Sequence, residues 1–240
     1  NSIEAIDLTT TGNSFDFGDM SATKYAVGAI GGTVKGLLFG GSPNGGGTNL
    51  NTIDQIIIRS LGNSTDFGDL VTATNYPTGL GNQTRGVYGG GYAGGYLNTM
   101  GYVTIAAGGN ALDFGDLTVA RSNVSGFASP TRGVFAGGGP STDTIDYITI
   151  ASTGNALDFG NLIASIEATS ATSSSTRGVI AGGNTPSKSN VIQYVTTAST
   201  GNATDFGDLT VAKSSMTING SNNTIGIFGG GQTPSASLTI

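Results

Sequence analysis

The chain has 240 residues, a formal net charge of −6 and only 10% charged residues, with no cysteine and no histidine. Those absences exclude disulfides, thiolate chemistry, a Ser-His-Asp triad and the usual zinc, copper and haem ligands, while the scarcity of Lys and Arg argues against a nucleic-acid partner, which needs clustered cations. No stretch approaches the ~20 apolar residues of a membrane helix, so no membrane partner is expected.

The first residue is Asn1, which suggests a processed product or a segment of something longer. One unit then recurs along the chain. Its clearest copy contains Thr131-Arg132-Gly133-Val134-Phe135-Ala136-Gly137-Gly138, then Thr144 to Ile150, then Gly154-Asn155-Ala156-Leu157-Asp158-Phe159-Gly160. The Asp of the Asp-Phe-Gly element falls at Asp16, Asp66, Asp113, Asp158 and Asp205, giving spacings of 50, 47, 45 and 47. A period of that size marks a repeat architecture, and its continuity predicts a single domain over residues 1–240.

Within each unit the apolar run ended by paired glycines, as at Val87–Gly90 and Val134–Gly138, predicts a strand buried on both faces. The next element alternates with period two: Ile6 and Leu8, Ile56 and Ile58, Val103 and Ile105, and Ile148 and Ile150 each share a face, which predicts a strand of fixed register. A Gly-Asn pair at Gly12, Gly62, Gly109, Gly154 and Gly201 then predicts a hairpin turn requiring positive φ. The strand after it carries Phe17, Phe67, Phe114, Phe159 or Phe206. A fourth strand is expected in the variable segments 23–32, 74–83, 121–130, 165–175 and 213–223.

Four strands repeated radially make a β-propeller blade. The expected fold is therefore all-β: a five-bladed propeller of four antiparallel strands per blade. The amino-terminal strands align with Asp143–Ile150 and with the Asp-Phe-Gly strand, and the chain stops after Ile225–Gly230 and a tail, Thr233-Pro234-Ser235 to Ile240, that matches Thr185 to Ile192. Two-plus-two closure between amino- and carboxy-terminal strands is thus predicted. A β-solenoid is the competing architecture.

An apolar strand ending in Gly-Gly, a strand with a central Tyr (Tyr102, Tyr147, Tyr194), and an aromatic followed by Leu and a basic residue (Phe114, Leu117, Arg121) together resemble the kelch repeat across nearly the whole chain. Phe stands where kelch repeats favour Trp. The wording of the repeat is similar to kelch-type repeats in virion and tail-fibre proteins of tailed phages, especially marine ones, and its length and number resemble five-bladed lectins of the tachylectin type. The resemblance implies a virion or extracellular location, with other virion proteins as partners.

Nine of the 15 acidic residues are the repeated Asp16/Asp19, Asp66/Asp69, Asp113/Asp116, Asp158 and Asp205/Asp208. A catalytic carboxylate pair needs two different environments, whereas these recur in similar ones, so they are expected to accept backbone N–H bonds at strand ends and turns. Calcium there is a weak alternative, because two carboxylates leave most of its ~6–8 oxygen ligands unspecified. Lys35, Arg85, Arg132 and Arg177 share one repeat position and Lys24, Arg121 and Lys213 another, and pairing with the repeated Asp is expected. No catalytic residue, metal ligand or cofactor is assigned.

Function is therefore sought on the non-repeated surface. Tyr25, Tyr76 and Phe127 lie in variable segments, and Tyr92 and Tyr96 in the insertion Gly91–Tyr96. Aromatic rings among Asn, Ser, Thr and Gly suit a surface glycan, because a ring offers a flat apolar face and short polar groups supply directional hydrogen bonds. A non-enzymatic binding or display module is expected; a purely structural virion protein making protein contacts is the alternative, and packing between blades the competing role for each ring.

Overall fold

A computed structural model describes residues 1–7, 9–44, 47–216 and 218–234; Leu8, Ser235 and Ile240 lie outside them. Among the described residues there is no helix. The chain opens with β1 (Ser2–Ala5) and β2 (Phe15–Asp19), which form a two-stranded sheet. Four larger antiparallel sheets follow. The first blade is β3 (Gly28–Gly31), β4 (Lys35–Phe39), β5 (Thr52–Ile57) and β6 (Thr65–Asp69); the second is β7 (Thr78–Gly81), β8 (Arg85–Gly89), β9 (Thr99–Thr104) and β10 (Leu112–Asp116). The third is β11 (Ser125–Ala128), β12 (Arg132–Ala136), β13 (Thr142–Thr149) and β14 (Leu157–Ile166). The fourth is β15 (Ser170–Ser173), β16 (Arg177–Ala181), β18 (Ser187–Thr196) and β19 (Thr204–Lys213), with the short β17 (Asn184–Thr185) folded back on β18. Finally β20 (Ile218–Ser221) and β21 (Gly226–Gly229) form another two-stranded sheet.

The arrangement is β-propeller-like. Strands β3, β7, β11, β15 and β20 come from the variable segments and contact one another in succession, so they lie inside and the Asp-Phe-Gly strands outside. Among the described residues four blades are complete, not the expected five, and β1–β2 and β20–β21 are separate sheets with no pairing between them, so the expected two-plus-two closure is not seen there.

The core lies between blades. Phe114 of β10 is buried with Ile148, Ile150 and Ala156 of the next blade, and Phe159 of β14 with Val195 of the blade after that. Burying each ring stabilises by about 1.5–3 kcal/mol relative to exposure. The predicted alternation holds at Val103 and Ile105 and at Ile148 and Ile150, all buried, whereas Ile58 is exposed and Ile6 is exposed and lies beyond the end of β1. Val103 and Ile105 belong to the cluster that covers Phe67. The turn glycines also bring backbones into close approach. Gly154 has φ +153° and lies against the preceding blade, where a Cβ on Gly115 would stand 2.5 Å from the Gly154 carbonyl carbon.

In three of the five motifs the first aspartate serves the backbone as expected: Asp16, Asp113 and Asp205 each accept from the Gly N–H two residues on, at 3.1, 3.3 and 3.3 Å. The repeated cations do not pair with them. Arg85, Arg132 and Arg177 lay their guanidinium groups 4.3, 4.4 and 4.3 Å from the ring centroids of Tyr102, Tyr147 and Tyr194. Arg85 and Arg132 then donate to the Ile150 and Thr197 carbonyls of the following blade at 2.8 and 2.9 Å. A planar cation with donors at its edge satisfies both contacts at once. Lys24 and Arg121 pair instead with Asp54 and Asp146, acids outside the repeated motif.

Candidate binding rim

In an antiparallel blade, the linker entering the first strand and the loop joining the second to the third lie at the same end. Paired glycines terminate each second strand with positive φ, as at Gly90 (+66°) and Gly91 (+116°), and so turn the chain back toward the linker. There a two-way backbone bridge forms in every repeat: Tyr25 with Ser42, Asn75 with Tyr92, Ser122 with Gly139, Glu167 with Asn184, and Ser214 with Gln232. The Tyr25–Ser42 bridge measures 2.8 and 2.9 Å. The backbone is constant while the side chains differ from blade to blade, which is how a fixed scaffold presents a variable surface.

The residue after each linker bridge position has positive φ despite carrying a side chain: Ala26 (56°), Tyr76 (52°), Asn123 (50°), Ala168 (53°) and Ser215 (53°). Such a conformation is uncommon outside glycine and persists only where the surroundings hold it. Here the N–H of Tyr76 donates to the Ala26 carbonyl and that of Ser215 to the Ala168 carbonyl, both at 2.8 Å. All five residues line one cavity of about 350 Å³, joined there by Pro77, Thr169 and Met216 among others. Sequence reasoning did not find this ring, because Ala, Tyr, Asn, Ala and Ser share no residue type that signals the left-handed conformation.

Four of the five expected ligand residues belong to this end. Tyr25, Tyr76, Tyr92 and Tyr96 are 55%, 41%, 40% and 46% exposed. Tyr92 and Tyr96 meet edge to face with centroids 5.5 Å apart, and the Asn49 side chain of the first blade donates to the Tyr92 carbonyl of the second at 3.0 Å. Tyr76 also lines the central cavity.

Phe127 is different. It lies in β11, is 4% exposed and packs with Val134, Ile145, Ile180 and Val195. A Cβ on Gly178 would run into its ring. Phe127 is inter-blade core rather than a ligand contact, because the strand's alternation turns it toward the fourth blade while Gly126 and Ala128 face the second.

Few charges stand at the rim: Glu167 is the one charged side chain among the bridge and positive-φ positions named above, and Lys188 donates to the Gln232 side chain at 3.4 Å. The Asp-Phe-Gly acids sit on the outer strands. Among the described residues no group of three or more acidic side chains converges as a metal site would.

No protein-family model matches this chain, and no curated protein matches it in sequence.

Proposed function

We propose that the chain is a non-enzymatic binding module that recognises surface carbohydrate at this rim, as part of a phage particle or fibre and so in a virion or extracellular setting. The observation that carries the reading is the composition of the rim. Exposed Tyr25, Tyr76, Tyr92 and Tyr96 stand at an end rich in Asn, Ser and Gln with few charged side chains, the chemistry that stacks on a pyranose face and hydrogen-bonds its hydroxyls. The kelch-type resemblance to phage virion proteins supplies the setting. In the same proposal the scaffold is a single domain that closes with five blades, β1–β2 serving as the outer half of the blade begun by β20–β21.

The test is a glycan array probed with the wild-type protein, followed by titration of any hit against Tyr25→Ala, Tyr76→Ala and Tyr92→Ala. A bound glycan whose affinity falls about tenfold in one of these variants, equivalent to about 1.4 kcal/mol, supports the reading. A second reading is favoured by the same exposed rings: a purely structural role through contacts with other virion proteins. A stoichiometric complex with particle proteins, combined with an empty array, selects it.

A further inference from the structure

We infer that Glu4 and Lys213 form a buried ion pair that locks β1–β2 onto β20–β21; the inference rests on the five-bladed closure proposed above. It begins with the two buried pairs already present. Lys24 Nζ lies 2.7 Å from Asp54 Oδ2, and Arg121 Nη2 lies 2.7 Å from Asp146 Oδ2. Each cation stands four residues beyond the Met or Leu that follows an outer strand, Met20 or Leu117. Each acid stands in the third strand of the next blade, opposite the first Asp of the motif: Asp54 faces Asp66, and Asp146 faces Asp158.

The same two positions can be followed through the other repeats. After Leu70 the linker residue is Thr74, and the third-strand position opposite Asp113 is Gly101. Tyr88 fills the place of the missing acid, its hydroxyl accepting from the Val71 N–H at 2.8 Å. After Leu162 the linker residue is Ile166, and the position opposite Asp205 is Gln193, whose side-chain oxygen accepts from the Ile163 N–H at 2.9 Å. A neutral linker residue is thus matched by a neutral partner, and a cation by an acid. After Leu209 the linker residue is Lys213, and the residue opposite Asp16 is Glu4. Completing the fifth blade with β1–β2 brings these two charges to the position of the existing pairs. Among the described residues neither has an oppositely charged partner; Glu4 accepts only from Ser14 Oγ, at 2.9 Å.

Apolar and hydrogen-bonding complementarity agree independently. Phe17, Phe67, Phe114 and Phe159 are 8%, 6%, 2% and 2% exposed, whereas Phe206 is 54% exposed and Ile6, the counterpart of the covering Val103 and Ile148, is 60% exposed. The N–H groups of Gly62, Gly109, Gly154 and Gly201 donate to the carbonyls of Phe17, Phe67, Phe114 and Phe159 at 2.8, 2.9, 2.7 and 2.7 Å. The Oδ1 atoms of Asn63, Asn110, Asn155 and Asn202 accept from the next-but-one N–H of each outer strand at 2.9–3.0 Å. By the same rule Gly12 and Asn13 serve Phe206 and Asp208. The space for them exists as a groove of about 420 Å³ lined by Val179, Ile192, Phe206, Ile225 and Phe228. The occupant is this chain's own β1–β2, since a one-residue slip or an unrelated strand would bury Lys213 without a counter-charge.

If β21 pairs with β1 as β12 pairs with β13, Ile227 faces Ala5 as Val134 faces Tyr147, at a separation a disulfide spans. The chain has no other cysteine, so Ala5→Cys/Ile227→Cys is oxidised at low concentration and read by non-reducing electrophoresis and mass spectrometry. An intramolecular disulfide is expected; crosslinked dimers, or thiols that stay free, overturn closure and the ion pair together. The pair itself is tested by Glu4→Lys, Lys213→Glu and the double reversal. Each single change is expected to lower Tm by about 6 °C or more, and the double change to recover most of that loss. A disulfide that forms while the double reversal is no more stable than the singles overturns the ion pair and leaves five-bladed closure standing.

Discussion

Arg121 donates to Asp146 at 2.7 Å with neither side chain exposed to solvent. The same guanidinium donates to the Gly137 and Thr144 carbonyls at 3.0 and 2.7 Å, while Asp146 accepts from the Thr118 hydroxyl at 2.6 Å. Burial pulls the Arg121 pKa down and the Asp146 charge opposes it. The linker to the third blade is thereby tied to that blade's second and third strands.

Removing one partner leaves an uncompensated buried charge. Arg121→Ala is expected to reduce the free energy of unfolding by about 3–5 kcal/mol, measured by urea denaturation. Arg121→Met combined with Asp146→Leu should recover part of that loss, since no buried charge is left unpaired, although the Gly137 and Thr144 carbonyls and the Thr118 hydroxyl lose these partners.

Phe114 joins β10 to the blade that follows it. Phe114→Ala should cost about 3–5 kcal/mol, seen as a lower Tm with the circular dichroism of the folded state retained at low temperature. An unchanged Tm would contradict its place in the inter-blade core.

Glycine at position 115 is a geometric requirement. Its φ is +131°, and a Cβ there would press on the Gly154 backbone at 2.5 Å, so Gly115→Ala combines strain with collision and is expected to cost more than about 1 kcal/mol. Gly95→Ala, with open space and ordinary φ, should change stability by less than about 0.5 kcal/mol. Parallel denaturant titrations compare the two.

Burial pushes the Tyr88 hydroxyl up to about 12 from its ordinary value of 10.0. Because the folded-state pKa is the higher one, the neutral hydroxyl's contribution is fully present below pH 10 and is lost as pH rises toward 12. The stability difference between wild type and Tyr88→Phe, followed by denaturant titration from pH 9 to 12, should therefore shrink or reverse over that window, with an amplitude of roughly 2–3 kcal/mol.

Much of the scaffold was legible because it is written several times. The period, the alternation of Val103/Ile105 and Ile148/Ile150, and the positive-φ turns at Gly62, Gly109, Gly154 and Gly201 each follow from local rules, whereas β1 stops at Ala5, short of Ile6, and Gly12 lacks the expected positive φ. Partner choice was not legible in the same way. A repeated Arg beside repeated Asp residues suggests ion pairs, but Arg85 has Tyr102 on the adjoining strand and a carbonyl of the next blade within reach, neither of which is a neighbour in sequence. Phe127 and Tyr76 look alike on paper, each an aromatic in a variable segment. They differ because β11 turns the first toward the fourth blade, while the left-handed linker turn holds the second out. The alignment of the two chain ends with the central repeats predicts closure, but closure depends on residues from opposite ends of the chain meeting, and no pairing joins β1–β2 to β20–β21 among the described residues.

The contacts between turns and outer strands bear on how these molecules behave when crowded. Along β10 the N–H of Gly115 is taken by Asp113, that of Asp116 by Asn155, and the carbonyls of Phe114 and Asp116 by the N–H groups of Gly154 and Ala156. An outer strand is ordinarily a template on which another chain can extend a sheet. Along β10 these bonding groups are already in use, so crowded copies meet a saturated strand there and have little on which to extend a sheet.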